Sequence, residues 1–419
     1  MTDDTRERLK KYGVESLPGQ WRISKVKYIA SYLNGYPFKP DDWAPEGVPI
    51  VRIQDLTNTD NQPNFYNGTA PERYLLKDGD ILISWSASLG VFVWQRGPAW
   101  LNQHIFKVSV DTSILERAYF PWVATWFIEQ LKNYVHGSTM QHLTADAFGS
   151  FPVPIPPAED QRRVEAFLQC ETKQIDALID AKQRLLNLLA EKRRAIVAEA
   201  VMRGLAVDAA LRPSGIDWLG DIPAHWEIER ARWLFTERDQ RSETGEEEML
   251  TVSHLTGVTP RSEKDVNMFE AESTAGYKLC FAGDLAINTL WAWMGAMGSA
   301  RVDGIVSPAY NVYTPSPSLL PDYVDALVRI PVFAKEVTRY SKGVWSSRLR
   351  LYPEGFFETW WPVPPLDEQR EIIRHIATQT SKIDRLRAAT EHSITLLKER
   401  RGALIAAAVT GQIDITEAA

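Results

Sequence analysis

A proline-rich stretch occurs twice in this chain, and its repetition decides the fold. The first copy reads Val153-Pro154-Ile155-Pro156-Pro157-Ala158-Glu159-Asp160-Gln161-Arg162, and the second reads Trp361-Pro362-Val363-Pro364-Pro365-Leu366-Asp367-Glu368-Gln369-Arg370. In both copies acidic residues follow two adjacent prolines, a pattern that the helix dipole and the fixed φ of proline favour at a helix N-terminus. The stretch therefore predicts that a helix begins directly after each pair of prolines.

Two further markers recur in the same order before each proline-rich stretch. Leu17-Pro18-Gly19-Gln20-Trp21-Arg22-Ile23 corresponds to Ile222-Pro223-Ala224-His225-Trp226-Glu227-Ile228, and Asp78-Gly79-Asp80-Ile81-Leu82-Ile83 corresponds to Ala282-Gly283-Asp284-Leu285-Ala286-Ile287. The tryptophans are 205 residues apart (positions 21 and 226) and the proline motifs 208 (positions 154 and 362). This period is far longer than a solenoid repeat, and it predicts a duplicated domain pair with a pseudo-twofold relation.

Each proline-rich stretch leads into a long segment with one narrow apolar stripe. Mainly apolar residues recur at three-four spacing from Val164 to Ile196 and again from Ile372 to Leu404, while charged residues fill the other faces. Helices that run to about Arg203 and Gly411 would each hold roughly 45 residues and reach on the order of 65 Å. Such helices bury their stripes best against each other, so we predict an antiparallel coiled coil that separates two domains.

The segments between the markers predict two variable domains of mixed α/β structure. They are rich in Trp, Tyr, Pro and Gly, and they contain short alternating runs such as Ile81 to Trp85, Val91 to Trp94 and Ile105 to Val110, which are typical of strands in curved sheets. The predicted fold class is therefore α+β. The predicted bounds are 1–157 for the first variable domain, 158–204 for the first long helix, 205–364 for the second variable domain, and 365–419 for the second long helix with a C-terminal tail.

Length, charge and cysteine content narrow the functional classes. A chain of 419 residues is long enough for two to three domains. Only Cys170 and Cys280 occur, Met1 to Lys10 is polar, and no run reaches the roughly 18 to 20 apolar residues of a membrane span, so we expect a cytoplasmic protein without a membrane partner. The net charge is -7, so a nucleic-acid binder of this composition must concentrate its basic residues locally or obtain them from partners.

Two polar loops stand at equivalent positions, just before the proline-rich stretches. They are His136-Gly137-Ser138-Thr139-Met140-Gln141-His142 and Tyr340-Ser341-Lys342-Gly343-Val344-Trp345-Ser346-Ser347-Arg348-Leu349-Arg350. Hydroxyls and backbone amides can position DNA phosphates, and Arg or Gln can make bidentate contacts with base edges. Either loop alone is more often a simple polar turn, but the matched placement favours DNA contact.

Tryptophans that follow the Gly-Asp markers are a second, weaker set of candidates, because tryptophan is more often a core residue than a contact residue. The candidate DNA-binding residues are Ser84, Trp85, Ser86, His136, Ser138, Thr139, Gln141, His142, Trp291, Trp293, Lys342, Ser346, Ser347, Arg348 and Arg350.

The sequence contains no convincing catalytic, metal-binding or cofactor-binding constellation. A DNA methyltransferase needs a glycine-rich cofactor loop and an Asn-Pro-Pro-Tyr type motif, but the nearest string, Ser307-Pro308-Ala309-Tyr310, lacks the amide and the second proline. A phosphate-binding loop of the Gly-x-x-x-x-Gly-Lys-Ser/Thr type and the ligand spacing of a zinc site are also missing. We therefore expect no catalytic residues, no metal and no cofactor.

Two alternatives stay open at this point. The chain could be a methyltransferase or nuclease with an unrecognised site, which tight stoichiometric binding of S-adenosylmethionine to the isolated chain would reveal. It could also be a coiled-coil scaffold whose variable domains bind protein, and footprinting on random DNA would then enrich no split motif.

Over essentially its full length the chain resembles the specificity subunits of type I restriction-modification enzymes. The resemblance rests on the two proline-rich stretches, on the ending Val409-Thr410-Gly411-Gln412-Ile413, and on residues of the two long helices. The helix residues are Ile175, Asp176, Leu188, Leu189, Glu191 and Arg193, and again Ile383, Asp384, Leu396, Leu397, Glu399 and Arg401.

The resemblance implies a non-catalytic subunit in which each variable domain is a target recognition domain for one half of a bipartite double-stranded DNA target. It implies that the coiled coil sets the gap between the half-sites and docks two methyltransferase (modification) subunits, with restriction and translocation subunits as a further partner left open. The residues expected at the docking surfaces are Gln161, Arg162, Glu191, Arg193, Gln369, Arg370, Glu399 and Arg401. Because the two polar loops differ, the two half-sites are expected to differ.

Overall fold

The computed structural model describes residues 9–58, 61–86, 88–135, 145–264, 273–343 and 349–413. The chain divides into two compact units, of which unit 1 comprises 1–182 and 392–419 and unit 2 comprises 183–391. Both division points fall inside long helices, so each unit contains the beginning of one long helix and the end of the other. This division differs from the predicted domain bounds, which treated each helix as a separate segment.

The described part of unit 1 consists of short strands and helices that precede a long helix. The strands are β1 (Arg22–Lys25), β2 (Ala30–Asn34), β3 (Val48–Val51), β4 (Asn64–Tyr66), β5 (Leu75–Leu76), β6 (Ile81–Ser84), β7 (Gly90–Val93), β8 (Ala99–Leu101), β9 (Ile105–Val110) and β10 (Pro152–Ile155). The helices are α1 (Val26–Ile29), α2 (Ile53–Thr57), α3 (Phe120–Val135), α4 (Ala145–Gly149) and the long α5 (Ala158–Arg203), and 3-10 turns occur at Pro40–Asp42 and Glu72–Tyr74.

Two four-stranded sheets form the β-structure around which unit 1 is built. The first has the antiparallel order β2-β9-β6-β7, and the second has the order β4-β3-β8-β5, in which β3 and β8 run parallel. The alternating runs of the sequence thus become β6, β7 and β9. Separately, β1 pairs with β10, so the segment after Trp21 lies directly against the proline-rich stretch.

Unit 2 contains the remaining elements, of which α10 ends in unit 1. The strands are β11 (Leu211–Pro213), β12 (Asp221–Pro223), β13 (Glu227–Arg230), β14 (Phe235–Arg238), β15 (Leu250–Ser253), β16 (Gly257–Pro260), β17 (Lys278–Cys280), β18 (Leu285–Asn288), β19 (Met297–Ser299), β20 (Gly304–Val306), β21 (Tyr310–Pro315) and β22 (Trp360–Val363). The helices are α6 (Ala231–Leu234), α7 (Pro321–Val328), α8 (Pro331–Tyr340), α9 (Pro353–Phe357) and the long α10 (Leu366–Val409), and 3-10 turns occur at Arg261–Glu263 and Ala292–Met294.

The main sheet of unit 2 has the order β14-β21-β18-β19, in which each strand takes the place of β2, β9, β6 or β7 of unit 1. In the same way β13 pairs with β22 as β1 pairs with β10. The units differ beside this sheet, because unit 2 has two separate strand pairs, β15 with β16 and β17 with β20, where unit 1 has its second four-stranded sheet. Positions on this sheet and on this strand pair can therefore be compared directly between the two units.

Both long helices contribute apolar residues to the core of each unit. In unit 1, Val164 and Leu168 at the start of α5 share a buried cluster with Ile405 and Ala408 near the end of α10. In unit 2, Ile372 at the start of α10 shares a buried cluster with residues 200 and 201 near the end of α5. Each of the valines, leucines and isoleucines among them contributes roughly 1.5 to 3 kcal/mol when fully buried, so these contacts hold the helix ends in the cores.

Candidate nucleic-acid interface

A cluster of three side chains, the helix-start cluster, fixes the beginning of α5 in unit 1: Trp21, Asp160 and Gln161. The indole N–H of Trp21 donates to Oδ2 of Asp160 at 2.9 Å. The buried amide of Gln161 donates from Nε2 to the carbonyl of Pro156 at 2.8 Å, and its Oε1 accepts the backbone N–H of Glu116 at 2.6 Å. The cluster thus ties the proline-rich stretch and the helix to the loop that follows β9.

The helix-start cluster of unit 2 consists of Trp226, Glu368 and Gln369, and it repeats these contacts. The indole N–H of Trp226 donates to Oε2 of Glu368 at 3.0 Å. Nε2 of Gln369 donates to the carbonyl of Pro364 at 2.8 Å, and Oε1 accepts the backbone N–H of Leu320 at 2.9 Å. The same three chemical roles therefore stand at the start of both long helices.

The prediction that Gln161 and Gln369 bind a partner subunit was wrong. Their side chains are only 2% and 0% exposed, and both ends of each amide are already bonded inside their own unit. A buried amide that left these partners would leave several polar groups unsatisfied, which is costly. The remaining predicted docking residues are accessible, since Arg162, Glu191, Arg370 and Glu399 are exposed and Arg193 and Arg401 lie on the helix surfaces.

Arg193 and Arg401 each form an ion pair between the two long helices. In unit 1, Nε of Arg401 lies 2.9 Å from Oδ1 of Asp176, and in unit 2, Nε of Arg193 lies 3.4 Å from Oδ1 of Asp384. In both units the pair joins the middle of the helix that begins there to the last part of the helix that ends there. The two arginines therefore have a role within the chain that the sequence analysis did not assign.

Three residues lie where β2 and β6 end and β9 begins, and they form the strand-end cluster of unit 1: Asn34, Trp85 and His104. The Trp85 ring stacks on Phe106 with centroids 5.7 Å apart, lies 5.0 Å from the His104 ring, and donates its indole N–H to Oδ1 of Asn34 at 3.1 Å. Trp85 is half-buried, so part of its ring stays accessible. The cluster offers an aromatic face and polar groups of the kinds that contact nucleic acids.

Ser84 and Ser86, which were predicted to contact DNA beside Trp85, are buried. Ser84 is 0% exposed, and its hydroxyl donates to the carbonyl of Ser88 within the turn between β6 and β7. Ser86 is 9% exposed. The prediction was wrong for these two serines, because the alternation of the strand places them on the protein side of the turn.

His104 is a member of this cluster that the sequence analysis did not identify. It adopts a left-handed backbone conformation with φ of 73°, which is strained for a side chain other than glycine. Its Nδ1 is buried and has no hydrogen-bond partner among the described residues, and the same holds for Oδ1 of Asn102. The only available signal was the polar string Asn102-Gln103-His104, to which the sequence analysis assigned no role.

The strand-end cluster of unit 2 occupies the equivalent sheet position with different side chains: Asn288, Thr289 and Tyr310. Nδ2 of Asn288 donates to the hydroxyl of Tyr310 at 3.1 Å, and Oγ1 of Thr289 donates to a backbone carbonyl at 2.9 Å. Burial raises the pKa of the Tyr310 hydroxyl above its ordinary value, so the group stays a neutral donor and acceptor. Nearby, Trp291 is 50% exposed, whereas Trp293 is half-buried.

The neck of the polar loop of unit 2 lies against this cluster. Lys342 and Arg350 exchange two backbone hydrogen bonds of 2.9 Å, and both side chains are exposed. The next backbone N–H, that of Leu351, donates to the carbonyl of Thr289 at 3.1 Å. The structure therefore brings the two predicted candidate sets of this unit together, with two cations beside the polar cluster.

The other loop candidates lie outside the described residues. They are Ser346, Ser347 and Arg348 in unit 2 and His136, Ser138, Thr139, Gln141 and His142 in unit 1.

Across the described ranges, no group of three or more His, Cys, Asp or Glu side chains is placed to hold a metal ion. Within the same ranges, no helix combines the length and the apolar character that a membrane crossing requires.

A family model and several known proteins are similar to this chain. A family model described as the type I restriction modification DNA specificity domain matches residues 18–189. The type I restriction enzyme EcoBI specificity subunit of Escherichia coli is 22% identical over 424 residues, which cover 96% of this chain and 88% of the relative. The MjaVIII specificity subunit of Methanocaldococcus jannaschii is 19% identical over 228 residues, or 51% of this chain and 48% of the relative.

The fold is also found in a solved structure that concerns complex assembly and conformational transition of the type I restriction-modification system. That chain is 17% identical to this one with a TM-score of 0.63, over 95% of this chain and 100% of the other. The family model and the relative that aligns along nearly the whole chain agree with this fold. Residues 18–189 thus match the type I restriction modification DNA specificity domain, and along nearly its whole length the chain is similar to a specificity subunit of a type I restriction enzyme.

Proposed function

We propose that this chain reads a bipartite double-stranded DNA target and that each unit reads one half-site. The observation that carries the proposal is the strand-end cluster, which recurs at one sheet position in both units with different side chains. By strand register, Trp85 and Ile105 of unit 1 stand where unit 2 has Thr289 and Tyr310, and His104 directly precedes Ile105. Equivalent positions are expected if both units perform the same task. Different hydrogen-bond donors and acceptors are expected if the two half-sites differ in sequence.

The polar loops would add contacts beside these clusters. In unit 2 the loop neck presents Lys342 and Arg350, whose charges attract phosphates, and arginine can also make a bidentate contact with guanine. In unit 1 we assign the same role to the loop that contains Gln141, which can pair with adenine in a bidentate manner.

We propose that the long helices dock two methyltransferase subunits through repeated apolar patches. In unit 1, Leu178 and Leu396 are 46% and 50% exposed, and in unit 2, Leu386 and Leu188 are 47% and 61% exposed. Each leucine has its counterpart 208 residues away (positions 178 and 386, 188 and 396). Duplicated exposed apolar residues are typical of protein contacts, and two equal patches suit two copies of one partner.

Around these leucines, the exposed charges of Glu191 and Glu399 could form a polar rim, with Arg162 and Arg370 at the helix starts. The docked subunits would supply the cofactor and the methyl-transfer chemistry, and restriction and translocation subunits are a further candidate partner. We propose that the assembled complex works in the cytoplasm.

Methylation mapping tests the proposal directly. We expect cells that express this chain together with its methyltransferase subunit to methylate one split motif, and cells that lack the chain to leave that motif unmodified. Methylation of a continuous motif, or of the same motif without this chain, would contradict the proposal.

A variant of the same experiment tests whether the helices set the gap. Insertion of four residues after Ala181 adds about 6 Å of helix, so we expect the gap to grow by about two base pairs while both half-sites keep their sequence. If the variant assembles and the gap between the half-sites is unchanged, the helices do not set the gap.

A further inference from the structure

A basic residue followed by an aromatic one is exposed on the same short helix in both units. The pair is Lys27-Tyr28 on α1 in unit 1 and Arg232-Trp233 on α6 in unit 2. Tyr28 is 59% exposed and Trp233 is 73% exposed, although the neighbouring residues of both helices are buried. Aromatic side chains that are this exposed contribute little to the core of either unit. No role has yet been assigned to them.

Each short helix is fixed beside the segment that follows a polar loop. The backbone N–H of Val26 donates to the carbonyl of Phe151 at 3.0 Å, and that of Ala231 donates to the carbonyl of Thr359 at 2.9 Å. In unit 1, α4 fills the chain between the polar loop and Phe151, and a Cβ added at Gly149 would lie 3.5 Å from Cβ of Lys27. The exposed pair therefore lies next to the segment that follows a loop that we propose to contact DNA.

The two units differ in the charge at this place. In unit 2, Arg230 and Arg232 both form ion pairs with Glu358, the residue before Thr359. The positive charge of the two arginines is therefore partly neutralised inside the protein.

In unit 1, the places of these three residues are taken by Lys25, Lys27 and Ser150, because Ser150 precedes Phe151 as Glu358 precedes Thr359. Neither lysine has an ion-pair partner in the described part of the chain. Nζ of Lys27 lies 5.1 Å from the centre of the Tyr28 ring. The sequence also has no Asp or Glu from position 16 to position 40. Unit 1 thus carries two lysines here that have no carboxylate within ion-pair distance among the described residues, in a chain of net charge -7.

We propose that Lys25 and Lys27 bind DNA phosphates beside the half-site read by unit 1, and that Glu358 suppresses the equivalent contact in unit 2. The inference rests on the proposed function, because it requires DNA at the polar loop of unit 1. Uncompensated lysines gain affinity from phosphates by releasing counterions, whereas arginines already paired with a carboxylate gain less. The two half-sites would then be held with unequal electrostatic strength.

The test uses the full chain assembled with its methyltransferase subunits. The probes are a labelled duplex with the motif found by methylation mapping and a duplex of equal length without it, and the dissociation constant is measured from about 50 to 200 mM salt. For Lys25→Gln/Lys27→Gln we expect the slope of log affinity against log salt to become shallower by about 2, and both duplexes to weaken by a similar factor. The matched control is Lys10→Gln/Lys11→Gln, which removes the same charge from two exposed lysines of unit 1 and should leave the slope unchanged.

A reciprocal variant makes unit 2 resemble unit 1. Glu358→Ser frees Arg230 and Arg232, so we expect a slope steeper by about 1 to 2. The inference is overturned if the wild-type complex binds its motif but neither variant moves the slope, or if the lysine variant releases a methyltransferase subunit, which would make the two lysines a protein contact. Failure of the wild-type complex to prefer its motif would instead overturn the proposed function.

Discussion

The two helix-start clusters are nearly identical, whereas the two strand-end clusters share only their position. Trp21 and Gln161 keep the same bonds as Trp226 and Gln369 in the other unit. By contrast, the indole of Trp85 in unit 1 stands where unit 2 has the hydroxyl of Thr289, and the two groups make different hydrogen bonds. The duplicated chain therefore has the same tryptophan and glutamine in the helix-start clusters, which hold the architecture together. It has different residues in the strand-end clusters, where we propose that DNA is contacted.

The largest expected effect concerns a thiol that only unit 2 carries in its core. Cys280 occupies the place of Leu76 in unit 1, and burial raises the pKa of its thiol to about 12. The reactive thiolate is therefore much rarer for Cys280 than for an ordinary exposed thiol. At pH 8 we expect a maleimide or disulfide reagent to label exposed Cys170 quickly and Cys280 only after denaturation, as followed by mass spectrometry.

This labelling also separates the stability of the two units. If the helix-start clusters act independently, Gln369→Ala should accelerate labelling of Cys280 and Gln161→Ala should not. Equal labelling rates for Cys170 and Cys280 in the folded wild type would contradict the burial of Cys280.

The next effect in size tests whether the two helix-start clusters are equivalent. Gln369→Ala leaves buried carbonyls and the N–H of Leu320 without a partner, so we expect a loss of about 3 kcal/mol in the free energy of unfolding. Gln161→Ala should cost a similar amount. The exposed neighbour Arg370→Ala is the control and should change stability by no more than about 0.5 kcal/mol in chemical denaturation. A loss confined to one of the two glutamines would break the equivalence.

A smaller effect tests whether the strand-end clusters and their loops read different half-sites. Arg350→Ala removes an exposed cation but keeps the bridge to Lys342, which uses only backbone groups. We expect a loss of about 1 to 3 kcal/mol in binding at one half-site and none at the other, measured with duplexes altered in each half-site separately. Lys335→Ala, at an exposed position on α8, is the control. Equal loss at both half-sites would indicate a non-specific role for Arg350.

The smallest effect concerns the ion pairs between the long helices. Both pairs are partly exposed, so we expect Arg401→Gln to cost less than about 1 kcal/mol. Arg193→Gln should cost still less because its pair is longer. Thermal unfolding at low and high salt measures both, and a loss above about 2 kcal/mol would show that these pairs are more than surface contacts.

Local signals in the sequence were enough to place the long helices. Their first residues are Ala158 and Leu366, directly after the prolines, because proline and the following carboxylates act on the backbone next to them. Alternation likewise indicated β6 and β9, since a strand with one buried side leaves a period of two in the sequence.

Residue roles that depend on distant partners could not be predicted in this way. Gln161 has the composition of an exposed helix residue, yet it is buried by bonds to a loop 45 to 47 positions earlier. Ser84 looks like a surface serine beside Trp85, but the closing of the turn covers it. His104 gave no signal because its left-handed backbone and its contact with Trp85 arise only when the strands pair.

The duplication of the proline-rich stretch and its markers, the start of each long helix and the resemblance to a family were thus determined by the sequence alone, because they rest on local backbone preferences and on residue identity at fixed spacing. The tertiary structure decided how the chain is divided. Each unit contains the beginning of one long helix and the end of the other, and Asp176 meets Arg401 across 225 positions. Such a pairing depends on which buried surfaces fit together, and the residues around Asp176 or Arg401 in the sequence do not indicate it.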